Sequence, residues 1–235
     1  MTVVEHLEEF RRRIVACMIA FLIGSVIAYI FYPHVLHILT LPLDKGGRIA
    51  GIKVELSVPG VTTAFLTQIK ISMFAGFLIG LPVILLQLWR FITPGLEQNE
   101  KRYTIPFVLG SLTLFFAGAT VAYLILPQAL GFLLHFTHGL KPVIFIDQYV
   151  SFVAFMMLAF SITFEIPMVL LLLAAAGLVT SAWLRKYRRH AILLAFIIGA
   201  IATPSQDPYS NTLMALPLYV MYEGAILIIR YGMKK

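Results

Sequence analysis

The sequence predicts an all-α integral membrane protein with six transmembrane helices. Several are kinked at proline, the last two are short, both termini are cytoplasmic, and the expected arrangement is concave and cup-like. Three observations carry this. Of the 235 residues, 60% are hydrophobic and only 12% charged, with a mean hydropathy of +0.92, whereas a soluble domain carries about a quarter charged residues. The apolar residues are gathered in long runs, and the basic residues cluster at alternate ends of those runs. The lone Cys17, inside an apolar run, excludes a disulfide framework or a cysteine-based zinc site within the chain.

The first run, Ile14 to Tyr32, follows Arg11, Arg12 and Arg13. It is long enough to cross a hydrocarbon core of roughly 30 Å and too long for an ordinary signal-peptide core, so it reads as a retained span. From Pro33 to about Thr67 the breakers Pro42, Gly46, Gly47, Gly51, Pro59 and Gly60 predict an extramembrane loop, opening with a short interfacial helix from Pro33 to Leu41. Further spans are expected at about Ile69–Trp89, Thr104–Leu130 and Tyr149–Leu178. The last two must tilt, kink or protrude. The final pair, His190–Thr203 and Leu213–Ile229, is only about 21 and 26 Å long at 1.5 Å per residue. Such short helices imply a locally thinned bilayer. Pro82, Pro106, Pro127, Pro167 and Pro217 all fall inside expected spans, favouring bent helices around a concavity. The chain reads as a single six-span domain over residues 1–235.

Orientation follows from the basic residues. Thirteen of the 18 lie at the N-terminus, in the second-to-third and fourth-to-fifth connections and at the C-terminus; Lys45, Arg48, Lys53, Lys70 and Lys141 lie on the other face. The positive-inside rule puts both termini in the cytoplasm. The net charge of +7 is thereby explained by topology, and nucleic-acid binding is excluded.

Four places could carry chemistry. Glu165, in Phe160-Ser-Ile-Thr-Phe-Glu165-Ile-Pro167, is the sole charge of its span. A carboxylate at such depth costs at least about 2.5–3.5 kcal/mol, so it must be neutral, face water or meet a polar partner. The bland explanation is a neutral Glu bonded locally, for instance to the Thr163 carbonyl that Pro167 leaves free. Glu223 is similar but nearer a helix end, with Arg230 close enough in sequence to pair with it. In Glu5-His-Leu-Glu8-Glu9-Phe-Arg11-Arg12-Arg13, Glu8 and Glu9 each have an arginine at i+4. In Phe91-Ile-Thr-Pro94-Gly95-Leu-Glu97-Gln-Asn-Glu100-Lys101-Arg102, Thr93 and Pro94 mark a helix start, Glu97 has Lys101 at i+4, and Glu100 has no cation in its own helix. His135 and His138 lack a third metal ligand nearby. No hydrolase or nucleotide-binding motif is present, so neither an enzyme nor a cofactor or metal is expected.

These segments together resemble the TatC family, the polytopic subunit of the twin-arginine protein translocase. His6-Leu7-Glu8-Glu9-Phe10-Arg11-Arg12-Arg13 is similar to that family's N-terminal HLxELRxR signature, and Trp89–Arg102 to its first cytoplasmic loop. Phe164-Glu165-Ile166-Pro167 resembles its FE-x-P motif, and Thr203-Pro204 with Asp207 its last periplasmic loop. Phe10 stands where Leu is usual, and Ser205-Gln206 separate Pro204 from Asp207. The resemblance implies a receptor in the cytoplasmic (inner) membrane of a prokaryote for folded proteins bearing Arg-Arg signal peptides. Glu9 and Glu100, grouped with Glu97 and Phe91, fall on the positions for recognising the arginine pair. Glu165 falls on the buried polar position associated with signal insertion or partner contact. The implied partners are single-span TatA- and TatB-type subunits and further copies of the chain within the complex, with the proton-motive force as energy source. The alternative, from the residues alone, is a proton-coupled secondary transporter using Glu165.

Overall fold

The computed structural model describes residues 3–92, 104–137, 142–202 and 208–232, and these are overwhelmingly helical. Helix α1 (Val3–Ile30) carries the Glu- and Arg-rich segment and most of the first apolar run, which turns at Phe31 before Tyr32 opens the next helix. It lies along α3 (Val61–Ile92), which starts eight residues before the expected span. Their seam is made of small residues: a Cβ on Gly80 would sit 3.1 Å from the Ala20 carbonyl, and one on Gly76 would collide with the backbone of Ser25. Ala20 and Gly24 on one helix, and Gly76 and Gly80 on the other, have the four-residue spacing that lets membrane helices approach closely. Only 11% of the apolar window of α1 is buried, so most of its surface remains for lipid or a partner.

The loop expected after the first span is largely helix. Helix α2 runs Tyr32–Ala50, well beyond the predicted end at Leu41, with Pro42 inside it. Pro42 supplies no N–H to the carbonyl one turn back, and that carbonyl, Ile38 O, instead accepts from the Tyr123 phenol at 2.7 Å. Leu39 O accepts from the Tyr149 phenol, also at 2.7 Å. Gly46 and Gly47 act as contact surface rather than breakers. A Cβ on Gly46 would lie 2.8 Å from Leu130 Cβ on α4 (Thr104–His135). The helix ends where Gly51 turns left-handed at φ 70°.

A strand pair is also absent from the sequence reading. Strand β1 (Glu55–Ser57) pairs in parallel with β2 (Val143–Phe145), Leu56 opposite Ile144. The fourth expected span is two helices, α5 (Ile146–Phe164) and α6 (Ile166–Ala175), interrupted at Glu165. Leu43, Ile71, Leu126, Val150, Val153 and Phe160 fill the core joining α2, α3, α4 and α5.

After the short α7 (Ser181–Lys186), α8 (Arg188–Ala202) and α9 (Pro208–Leu227) follow, α9 closing in a π-helical turn, Ile228–Gly232. Helix α8 is short as expected, but α9 begins five residues before the expected Leu213 and its 20 residues reach about 30 Å, so the last helix is not short. Among the described residues four helical stretches are long and apolar enough to cross a membrane: Leu7–Ile30, Val61–Phe91, Ile105–His135 and Ile146–Ala175. The protein is accordingly a multi-pass, helical membrane protein.

Candidate functional site

At one end of the molecule the start of α1 meets the end of α3. The Phe10 and Phe91 rings lie 5.4 Å apart, and Glu9 is one residue from that contact. The Glu9 side chain is only 11% exposed and forms an ion pair with Arg13 one turn on. Glu8 and Arg12, expected to pair in the same way, form no ion pair. The chain leaves α3 at Ile92, directly beside this cluster, and the following segment carries Glu97 and Glu100. Both lie outside the described residues, as do Asp207 and His138. The structure thus brings Phe10, the neighbour of Glu9, onto Phe91 near the end of α3.

The second constellation lies within the apolar body. Glu165 sits at the break between α5 and α6 with φ −77° and ψ −15°, its N–H bonded to Ile162 O at 3.1 Å. Pro167, second in α6, has no N–H for the Thr163 carbonyl, which explains why the hydrogen-bond ladder is interrupted here. The Glu165 side chain does not cap α6, and Oε1 is buried with no hydrogen-bond partner among the described residues. Its polar neighbour is the Ser111 hydroxyl of α4. Ser111 is 0% exposed and accepts from Trp89 Nε1 at 3.0 Å, while the indole stacks on Phe107 at 5.1 Å. A Ser hydroxyl can accept from the indole and donate to the carboxyl at once. Trp89, Ser111 and Glu165 thus gather polar groups from α3, α4 and the α5–α6 break, with the Trp89–Ser111 hydrogen bond joining the first two.

The sequence reading placed Trp89 in a motif without a role and did not select Ser111. The available signal was depth: Ser111 is about 10 Å along α4 from Thr104, and α3 runs toward Trp89 at the same end. Glu223 is paired locally. It accepts from Arg188 Nη2 of α8 at 2.6 Å and from the Tyr219 phenol at 2.8 Å, so its partner is Arg188 and not Arg230. Among the described residues, no group of three or more metal-ligating side chains occurs.

A carboxyl at a proline-broken point inside a bundle of long apolar helices, with a second carboxylate near where two of them meet, belongs to a multi-pass helical membrane protein and not to a soluble binding module. The family model described as Sec-independent protein translocase protein (TatC) matches residues 5–217. The Sec-independent protein translocase protein TatC of Aquifex aeolicus is 44% identical over all of this chain and 97% of its own length. That of Carboxydothermus hydrogenoformans is 36% identical over 98% of this chain and 93% of its own. Two solved structures of the twin-arginine translocase receptor TatC superpose on the fold. One has a TM-score of 0.80 at 43% identity, covering 97% of this chain and 99% of that one. The other, in the detergent DDM, has a TM-score of 0.81 at 44% identity, covering 95% and 99%. The chain belongs to the TatC family.

Proposed function

We propose that the protein is the signal-peptide receptor of a twin-arginine translocase. It recognises the Arg-Arg signal peptide of folded precursors and, with single-span TatA- and TatB-type subunits, mediates their export driven by the proton-motive force. The observation that carries this reading is the packing of Phe10, next to Glu9, on Phe91 at the end of α3, from which the chain continues to Glu97 and Glu100. Arginine's planar fork pairs bidentately with a carboxylate, which lysine cannot reproduce. An exposed pair contributes only about 0–1 kcal/mol, whereas a shielded, charge-assisted one contributes about 1.5–3 kcal/mol. The shielding of Glu9 favours the stronger case.

Six spans with cytoplasmic termini in a prokaryotic inner membrane complete the reading, α8, at about 22 Å, being the short helix beside which the bilayer thins. The hydrophobic part of the signal then lodges on the concave face near Glu165, Asp207 belongs to the last periplasmic loop, and several copies of the chain assemble in the complex. The family match gives the secondary-transporter alternative no support.

The test is co-purification of the full chain with an Arg-Arg signal peptide against its Lys-Lys version, in wild-type and Glu100→Gln membranes. Arg-dependent capture that falls in the Gln variant is expected. Equal capture of both peptides, or undiminished crosslinking in Glu100→Gln, would count against the pairing.

A further inference from the structure

The basic residues that orientation does not explain are the informative ones. Of the five on the minority face, four are described, and two of these have protein partners: Lys53 pairs with Glu55 at 3.3 Å, and Lys70 donates to Ser151 Oγ at 2.9 Å. The side chains of Lys45 and Arg48 of α2 make no hydrogen bond or ion pair among the described residues. Both line one open cavity of about 410 Å³ between α2 and α4, with Ile49, Tyr123, Leu124 and Gln128 among its walls. Asp44 precedes Lys45 in sequence but does not line the cavity.

Its depth is fixed by the helix register. Ile38 meets Tyr123, Gly46 meets Pro127 and Leu130, and Ile49 meets Gly131, so α2 rises alongside the distal half of α4, starting just past the end of α1 at Ile30. The apolar run of α1 stops there. The cavity therefore lies at the level where acyl chains give way to headgroups, at the end of the molecule remote from Arg11–Arg13. Its composition changes in the same direction: Leu124 is 62% exposed and Ile49 60%, presenting apolar surface beside two cations. Gln128 adds an amide to the same wall.

The geometry points to a binding site for an anionic phospholipid of the leaflet opposite the N-terminal arginines, its phosphodiester held by Lys45 and Arg48 and its acyl chain against Leu124. Arg48 supplies the fork that a phosphate oxygen pair accepts, and Lys45 a second point charge. A free phosphate would satisfy the cations equally but would make no use of Leu124 and Ile49.

Native mass spectrometry of the purified full chain, exchanged into nanodiscs containing equal phosphatidylglycerol and phosphatidylcholine, tests this. Wild type should retain phosphatidylglycerol preferentially, and Lys45→Gln/Arg48→Gln should lower that retention about ten- to thirtyfold. Arg185→Gln/Lys186→Gln, at the other end, should leave it unchanged. An unchanged thermal melt shows that the double variant is folded. Independently of any variant, a photoactivatable phosphatidylglycerol should label wild type within residues 42–49 or 123–128. Equal retention of both lipids, labelling elsewhere, or displacement of the lipid by millimolar inorganic phosphate would overturn the assignment, the last by making the cavity a free-anion site.

Discussion

At the residue scale the carboxylates divide by their partners. Glu223 is held by Arg188 and Tyr219, Glu9 pairs with Arg13, and Glu165, with Oε1 unpartnered among the described residues, has as its polar neighbour a hydroxyl that accepts from an indole. These partners set different expectations. Polar contacts between membrane helices average about 0.6 and reach about 1.7 kcal/mol, so Ser111→Ala should lower export roughly three- to eighteenfold with signal-peptide crosslinking at Glu9 unaffected. An export assay beside a crosslinking assay separates the two, and loss of both together would point to misfolding instead. Replacing Glu165 by Ala should diminish export or association with single-span subunits; a variant normal in both would remove its role. Because Arg13 occupies the Glu9 carboxylate, an incoming guanidinium must displace an i,i+4 pair of about 0.3–0.5 kcal/mol. Arg13→Gln should therefore raise capture of an Arg-Arg peptide about twofold, while Glu9→Gln lowers it, as a peptide titration would read.

Among the elements, those legible in the sequence were the ones whose pattern is set by lipid. The apolar runs gave α1, α3, α4 and the α5–α6 stretch, because a spanning segment must satisfy its backbone internally and display apolar side chains. The misreadings fell where tertiary contacts override local signals. Pro42, Gly46 and Gly47 read as breakers, yet the Tyr123 and Tyr149 phenols serve the carbonyls beside Pro42, and the glycines let α2 rest on α4. No local pattern announces a donor 85 residues away in sequence. Tyr123→Phe should destabilise the α2–α4 contact by about 0.5–1.5 kcal/mol, lowering the melting temperature of the detergent-solubilised protein. Gly76→Ala should do more, about 1–3 kcal/mol by overpacking, since its methyl would meet the Ser25 backbone; a melt at wild-type temperature would show that α1 can move aside.

For the molecule as a whole, the candidate site was legible one residue at a time but not as an assembly. Glu165 could be picked out because charge inside apolar sequence is rare, whereas Glu9 and Phe91 stood out only through the resemblance of their segments to the family's motifs. That Phe10 packs on Phe91, or that Ser111 stands between Trp89 and Glu165, depends on helix pairing that hydropathy does not encode. Cysteine accessibility mapping at the ends of α8 and α9 measures the remaining architectural expectation: residues near Arg188 and Tyr231 should react from the cytoplasmic side.

The short β1–β2 pairing carries a consequence for biogenesis. Glu55–Ser57 cannot find Val143–Phe145 until the ribosome has released the intervening α3 and α4 and both have been threaded through the membrane. The clasp thus closes only after the third long helix has crossed, and a nascent chain halted before residue 142 leaves one strand edge open. Protease added to the far side should cut near Gly51–Gly60 in such arrested chains and spare the same segment once synthesis has passed α5.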